Sequence, residues 1–192
     1  MAFTPPKEAL VAPMPDKSDF GMSESHETIR GGERVLIRHA RPEDIALYPD
    51  FIHDVSAEDL RLRFFGSVTE LSATEIDELS ALDHQRETAF IALDEDTGHM
   101  LGLVRLIDEL EEKTAQFTIL VRSRLKGHGL GWLLMHRVID YAKQKGLRHM
   151  FGDVLVENTT MLQMCAELGF HAENIEPGIK RMVLDLEKMS AQ

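Results

Sequence analysis

Apolar residues along this chain fall into short β-like runs and longer stripes at helical spacing, and their alternation predicts an ordered series of elements. Val35-Leu36-Ile37-Arg38 is the first β run. Arg41-Pro42-Glu43-Asp44 follows, with proline and acids where an opening helical turn favours them. Ile45, Tyr48, Phe51, Ile52 and Val55 then recur at helical spacing. Ser56-Ala57-Glu58-Asp59 heads a second helix in capping-box fashion. It carries Leu60 and Leu62 to Phe64-Phe65, with Gly66 expected as its stop. Ser72-Ala73-Thr74-Glu75 repeats the signal ahead of Ile76, Leu79 and Leu82.

Strands come next. Ala89 to Leu93 and Met100 to Ile107 flank the turn Asp94-Glu95-Asp96-Thr97-Gly98 and predict a hairpin. Ala115 to Val121 is a further strand. Leu130, Leu134, Val138 and Tyr141 lie on one helical stripe that Gly146 ends. His149 to Val156 reads as a strand, Thr159 to Leu168 as a helix closed by Gly169, and Arg181 to Leu186 as a last strand. The order β-α-α-α-β-β-β-α-β-α-β predicts an α/β domain with a mixed, mostly antiparallel sheet flanked by helices. Residues 1–33 show no such periodicity and hold Pro5, Pro6, Pro13, Pro15 and Gly31-Gly32. They are expected to be a flexible N-terminal arm, with the folded domain at 34–192.

Composition narrows the class. At 192 residues and 43% hydrophobic, the chain can build one sizeable core. No apolar run of membrane-spanning length occurs, and the start lacks the apolar core of a secretory signal. The single Cys165 excludes an internal disulfide framework and a Cys-rich zinc site. These features point to the cytoplasm, without a membrane partner. The net charge of −12 argues against nucleic acid as a partner. The charge is unevenly spread. Residues 70–112 hold thirteen acids against Arg86 and Arg105, whereas residues 122–149 hold seven Lys and Arg against Asp140. Such blocks suit a site that holds an anionic ligand on one side and receives a cationic acceptor on the other.

The chemistry concentrates after the Ala115–Val121 strand. Arg122-Ser123-Arg124-Leu125-Lys126-Gly127-His128-Gly129-Leu130-Gly131-Trp132 places three alternating glycines between a strand and a long amphipathic helix. Glycines let main-chain N–H groups crowd a ligand, and the helix start adds unpaired donors and the positive end of its dipole. Arg122, Arg124 and Lys126 add positive charge. A pyrophosphate-like anion is the expected ligand. The pattern lacks the Gly-Lys-Ser/Thr of a Walker loop and the spacing of a dinucleotide-binding loop. His128 is expected to donate to a phosphate. No second ligand is spaced with it, so no metal is expected.

Lys126-Gly127-His128-Gly129-Leu130-Gly131 resembles the acetyl-CoA signature, Q/R-x-x-G-x-G/A, of the GCN5-related N-acetyltransferase (GNAT) superfamily, with Lys126 at the Q/R position. Glu157-Asn158-Thr159-Thr160-Met161, leading to Leu168-Gly169-Phe170, is similar to a second landmark of that superfamily. The segments Val55–Phe65, Asp83–Phe90 and Leu120–Gly127 are similar to the acetyltransferase domain of bacterial Pat-type protein lysine acetyltransferases. The resemblance implies a GNAT fold and acetyl-CoA as co-substrate. It implies a cofactor groove formed by Leu120, Val121, Lys126, Gly127, His128, Gly129, Leu130, Gly131 and Trp132, with Asn158 on the pantetheine arm. It also implies a protein partner with an exposed lysine, such as an acyl-CoA synthetase.

Transfer to an amine needs a base, because a lysine titrates at about 10.4. In Pat-type enzymes the base resembles the Glu of Ala-Glu-Phe, but here the triplet is Ala115-Gln116-Phe117. Gln116 can hydrogen-bond the incoming amine or a water but cannot hold a proton. Glu87, Asp83 and His84 are the nearby replacements, and His84 has the most suitable intrinsic pKa. The superfamily's usual acid is a Tyr at the position of Cys165, which reads instead as a small buried hydrophobe. Two other readings stand beside a protein lysine acetyltransferase: a catalytically silent acyl-CoA-binding regulatory module and a small-amine acetyltransferase.

Overall fold

The computed structural model describes residues 24–66, 71–80, 86–109 and 113–189. Eight strands form one sheet in the order β1-β2-β3-β4-β5-β6-β8-β7. They are β1 (Ser25–Thr28), β2 (Arg34–His39), β3 (Glu87–Asp94), β4 (Met100–Asp108), β5 (Thr114–Val121), β6 (His149–Leu155), β7 (His171–Glu176) and β8 (Ile179–Asp185). Every neighbouring pair is antiparallel except β5 and β6. The helices are α1 (Tyr48–His53), α2 (Ala57–Phe64), α3 (Ala73–Ser80), α4 (Leu130–Gln144), α5 (Thr159–Glu167) and the short α6 (Leu186–Met189).

Two apolar layers sandwich the sheet. On one face Leu130, Leu134, Val138 and Tyr141 of α4 pack with Cys165 of α5 against Val104, Leu106, Ala115 and Phe117. On the other, Tyr48, Phe51 and Ile52 of α1 and Leu60 of α2 cover Ala89, Ile91, Leu103 and Leu120. Burying one such side chain contributes about 1.5–3 kcal/mol, so the two layers hold the sheet between them. Leu120 and Phe117 belong to opposite layers because successive strand residues face opposite ways. Gln116 and Thr118 therefore share the α1–α2 face with Leu120.

The caps read from the sequence form. Asp59 N–H donates to Ser56 Oγ at 3.2 Å, and Ser72 N–H donates to Glu75 Oε2 at 2.8 Å while Glu75 N–H donates to Ser72 Oγ at 3.3 Å. The expected stop of α2 moves by one residue. Phe65, not Gly66, takes the left-handed conformation, with φ of 55°. Two strands were not legible in the pattern. Ser25–Thr28 pairs with β2, so the expected arm of 1–33 reaches into the sheet. His171–Glu176 pairs with β8 and is exposed at every position. Both are sheet edges with no buried face of their own, so no alternation marks them.

Candidate active site

The site begins where β5 and β6 part. They pair only from Thr114 to Gln116 against His149 to Phe151, and the next rung, Phe117 beside Gly152, is open. The Phe117 ring fills the space that a side chain at 152 would need, 2.5 Å from an added Cβ. It also packs edge-on against Phe170, with ring centroids 5.3 Å apart. Beyond this wedge, residues 117–121 of β5 keep their bonds to β4 but have no partner strand on the β6 side among the described residues. A groove of ≈ 710 Å³ opens there, floored by β5 and walled by α2, α5 and the loop before α4.

The glycine loop forms one end. Gly127 and Gly129 have φ of 77° and 94°, which L residues rarely adopt, and an added Cβ at either meets nothing within 4 Å. These glycines serve backbone conformation, not relief of crowding in the empty fold. Gly131 lies inside α4, where an added Cβ would come 3.6 Å from Met164 of α5. The amides of Leu130, Gly131 and Trp132 precede the first α4 bond, Leu133 N–H to Gly129 O at 3.2 Å, and so lack intrahelical partners. This end can therefore hold an anion with main-chain donors.

The expected positive charge of the loop is largely spent on structure. Arg122 is buried, donates from Nε to Met100 O at 2.6 Å, and pairs with Asp50 and Asp54. Arg124 pairs with Glu33 at 2.5 Å, and Lys126 pairs with Asp59. Burial acts to raise the Asp59 carboxyl, but bonds from Lys126, Ser123 and Ser56 outweigh it and hold Asp59 below its ordinary range. At this end of the groove Arg30, which came from the expected arm, forms no ion pair among the described residues. Its N–H donates to His128 O at 3.0 Å, and its side chain lines the groove. No periodicity or motif in the sequence marked it.

Of the residues named from sequence, Gln116, Leu120, Val121, Lys126, Gly127, Gly129, Gly131, Trp132 and Asn158 line the groove together. Asn158 caps α5 by accepting from Met161 N–H at 3.2 Å, which leaves its amide NH₂ to donate. His128 and Leu130 do not line it. Leu130 is fully buried in the core and offers only its main chain, and the His128 Nδ1 is buried without a hydrogen-bond partner among the described residues. Trp132 stacks on His136 with centroids 5.4 Å apart. Cys165 is buried in the core, where burial pushes its thiol up to about 12, and it does not line the groove. His84 and Asp83 lie outside the described residues.

Glu87 is on the same sheet face as Gln116 but not beside it. Glu87 and Gln116 both oppose Ile107, from β3 and β5, so two strand spacings of about 4.8 Å part them by roughly 10 Å. Glu87 forms an ion pair with Arg105. Part of the acidic block is likewise engaged. Glu95 pairs with His26, Asp96 with Arg34 and Asp108 with Lys145. A further residue that sequence reasoning passed over is Arg63, on the last turn of α2. It lines the groove, its Cζ lies 4.8 Å from the Phe64 ring centroid, and burial together with Arg105 pushes its guanidinium down to about 10. Among the described residues no group of three His, Cys, Asp or Glu is placed to hold a metal ion, and no helix is long and apolar enough to cross a membrane.

Known proteins share the family and the fold. The model of the acetyltransferase (GNAT) family matches residues 54–170. Acetyltransferase PA5475 of Pseudomonas aeruginosa is 32% identical over 146 residues, which cover 75% of this chain and 78% of that protein. The crystal structure of the GNAT domain of S. lividans PAT superposes with a TM-score of 0.75 at 22% identity, covering 84% of this chain and 96% of that one. Spermidine N-acetyltransferase from Vibrio cholerae, solved in complex with CoA and spermine, superposes with a TM-score of 0.64 at 23% identity, covering 80% and 96%. The family model covers more than half of the chain and the Pseudomonas relative is matched over most of its length, so the chain belongs to the GNAT acetyltransferase family.

Proposed function

We propose that this protein transfers an acetyl group from acetyl-CoA to an amine, and that the amine is a lysine side chain of a protein. The observation that carries the reading is the groove itself, which runs from the donor-rich start of α4 along the unpaired edge of β5 to Gln116. The amides of residues 129–132 and the Arg30 side chain fit a diphosphate, and Asn158 fits the amides of a pantetheine arm. Unpaired β5 amides suit the thioester oxygen, where donors aimed at developing negative charge favour the transition state. The acceptor nitrogen then forms its bond to the acetyl carbon, the carbon–sulfur bond breaks, and the thiolate leaves.

Gln116 orients the amine or a bridging water, and the proton lost by nitrogen passes through water, because an amide cannot keep it. On that sheet face Glu87 lies about two strands away and is paired with Arg105, and Asp153 of β6 lines the groove but is paired with Arg181. A protein acceptor is supported by the similarity of the fold to the S. lividans PAT domain. A small-amine acceptor is the second reading, supported by the likeness to the spermidine enzyme. Calorimetry with acetyl-CoA tests the groove: Gly129→Asp, with a carboxylate beside the expected diphosphate, abolishes binding while the domain stays folded. Unchanged affinity would refute the assignment. Thiol release with folded proteins against polyamines then separates the two acceptors, and binding without any release identifies a silent acyl-CoA-binding module.

A further inference from the structure

The charged side chains along the groove do not cancel evenly. Asp59 is matched by Lys126, and Asp153 by Arg181 in a two-pronged pair at 2.7 and 2.9 Å. Glu167 accepts from Gln163 at 2.8 Å on the α5 wall. Two cations have no acid partner among the described residues. Arg30, at the loop end, faces the place proposed for the diphosphate. Arg63 does not. Asp59 touches the loop through Lys126 and Ser123, and Arg63 stands four residues further along α2, about 6 Å of helix rise. Its charged neighbour is Arg105, which opposes Thr118 of β5. Arg63 thus belongs to the Gln116–Thr118 end, where the reacting groups meet.

A partly desolvated guanidinium without an anion, and beside a second guanidinium, costs free energy unless the ligand supplies the missing charge. The planar fork of arginine suits a carboxylate, which it can bind through two parallel N–H donors. We propose that Arg63 is a carboxylate-recognition residue at the acyl end of the groove, so that the substrate there carries a carboxylate near the reacting centre. This rests on the acyl-transfer reading above. The carboxylate has two sources, a residue flanking the acceptor amine or the free end of a dicarboxylic acyl chain. A polycationic amine is disfavoured in either case.

Calorimetry on the full chain separates these. One arm titrates CoA-loaded protein with two lysine peptides that differ only by Glu or Gln next to the lysine. The other compares succinyl-CoA with acetyl-CoA on the free protein. The wild type is expected to favour the carboxylate member of one pair by about tenfold, the preference to vanish in Arg63→Gln, and Arg63→Lys to restore part of it. Preference within the peptide pair assigns the carboxylate to the acceptor, and preference within the thioester pair assigns it to the acyl chain. If the wild type discriminates in neither pair, or Arg63→Gln weakens both members equally, the proposal is overturned. Absence of acetyl-CoA binding to the wild type would instead remove the groove reading on which it stands.

Discussion

If the Phe117 ring lying across Gly152 is what parts β5 from β6, a methyl group at 152 must conflict with it. An added Cβ would lie 2.5 Å from one ring atom and 2.6 Å from the next, far inside carbon–carbon contact. The ring cannot swing aside freely, because it is 3% exposed and packed against Phe170. Overpacking of this kind costs about 1–3 kcal/mol. Phe117→Leu removes the ring edge that the methyl would strike. Its own cost is set by lost packing and stays below the roughly 3–5 kcal/mol of a Phe→Ala change. In the double variant the methyl of Gly152→Ala enters space that Phe117→Leu has vacated. The sum of the single effects should therefore exceed the measured double effect by about 1 kcal/mol or more.

Urea unfolding monitored by circular dichroism gives the three values. With a slope of about 2 kcal/mol per molar, a 2 kcal/mol loss moves the midpoint by about 1 M, well within reach of measurement. Acetyl-CoA affinity should fall in Gly152→Ala and recover in part in the double variant. Strictly additive destabilisation would refute the contact as the origin of the splay.

The remaining expectations concern the groove's ends. Arg30→Ala should weaken acetyl-CoA binding about fivefold, the upper end for one exposed ion pair, and the difference should shrink as salt is raised; a loss that salt does not reduce would exclude direct charge recognition. Gln116→Glu supplies a base at the acceptor end and should raise kcat about a hundredfold, the lower end of the usual range for general-base catalysis; no gain alongside robust wild-type turnover means that the proton leaves by another route. Asp59 is held below its ordinary range in the fold, so its stabilising effect is full above the unfolded carboxylate value of about 3.9 and is lost as pH falls through the lower folded value. Thermal unfolding from pH 6 to pH 2 should show Asp59→Asn losing this acid dependence, and identical slopes in both proteins would contradict the assignment.

The legible parts of the fold share a physical cause. β3 and β4 are buried on both faces and read as apolar runs, β5 alternates buried and half-buried positions, and the starts of α2 and α3 carry side-chain caps that act within a few residues. The edge strands β1 and β7 lack both signals. The glycine loop was legible for a similar reason, since positive φ at Gly127 and Gly129 is a local demand. The loop's charge was misjudged because neutralisation is long-range: Glu33, Asp50, Asp54 and Asp59 reach Arg122, Arg124 and Lys126 from distant segments. Arg30 and Arg63 escaped notice for the same reason, as their importance lies in what they face.

Sequence alone determined what short-range physics can encode: the order of the main elements, their caps, the anion-ready start of α4 and the absence of an ionisable group at 116. Tertiary structure alone decided which face each residue occupies, that Phe117 meets Gly152 where the parallel strands separate, and which cations find an acid partner among the described residues. The division follows from range. Helix caps and turn glycines act over a few residues, whereas a splayed strand pair and an uncompensated guanidinium exist only once segments far apart in the chain have packed together.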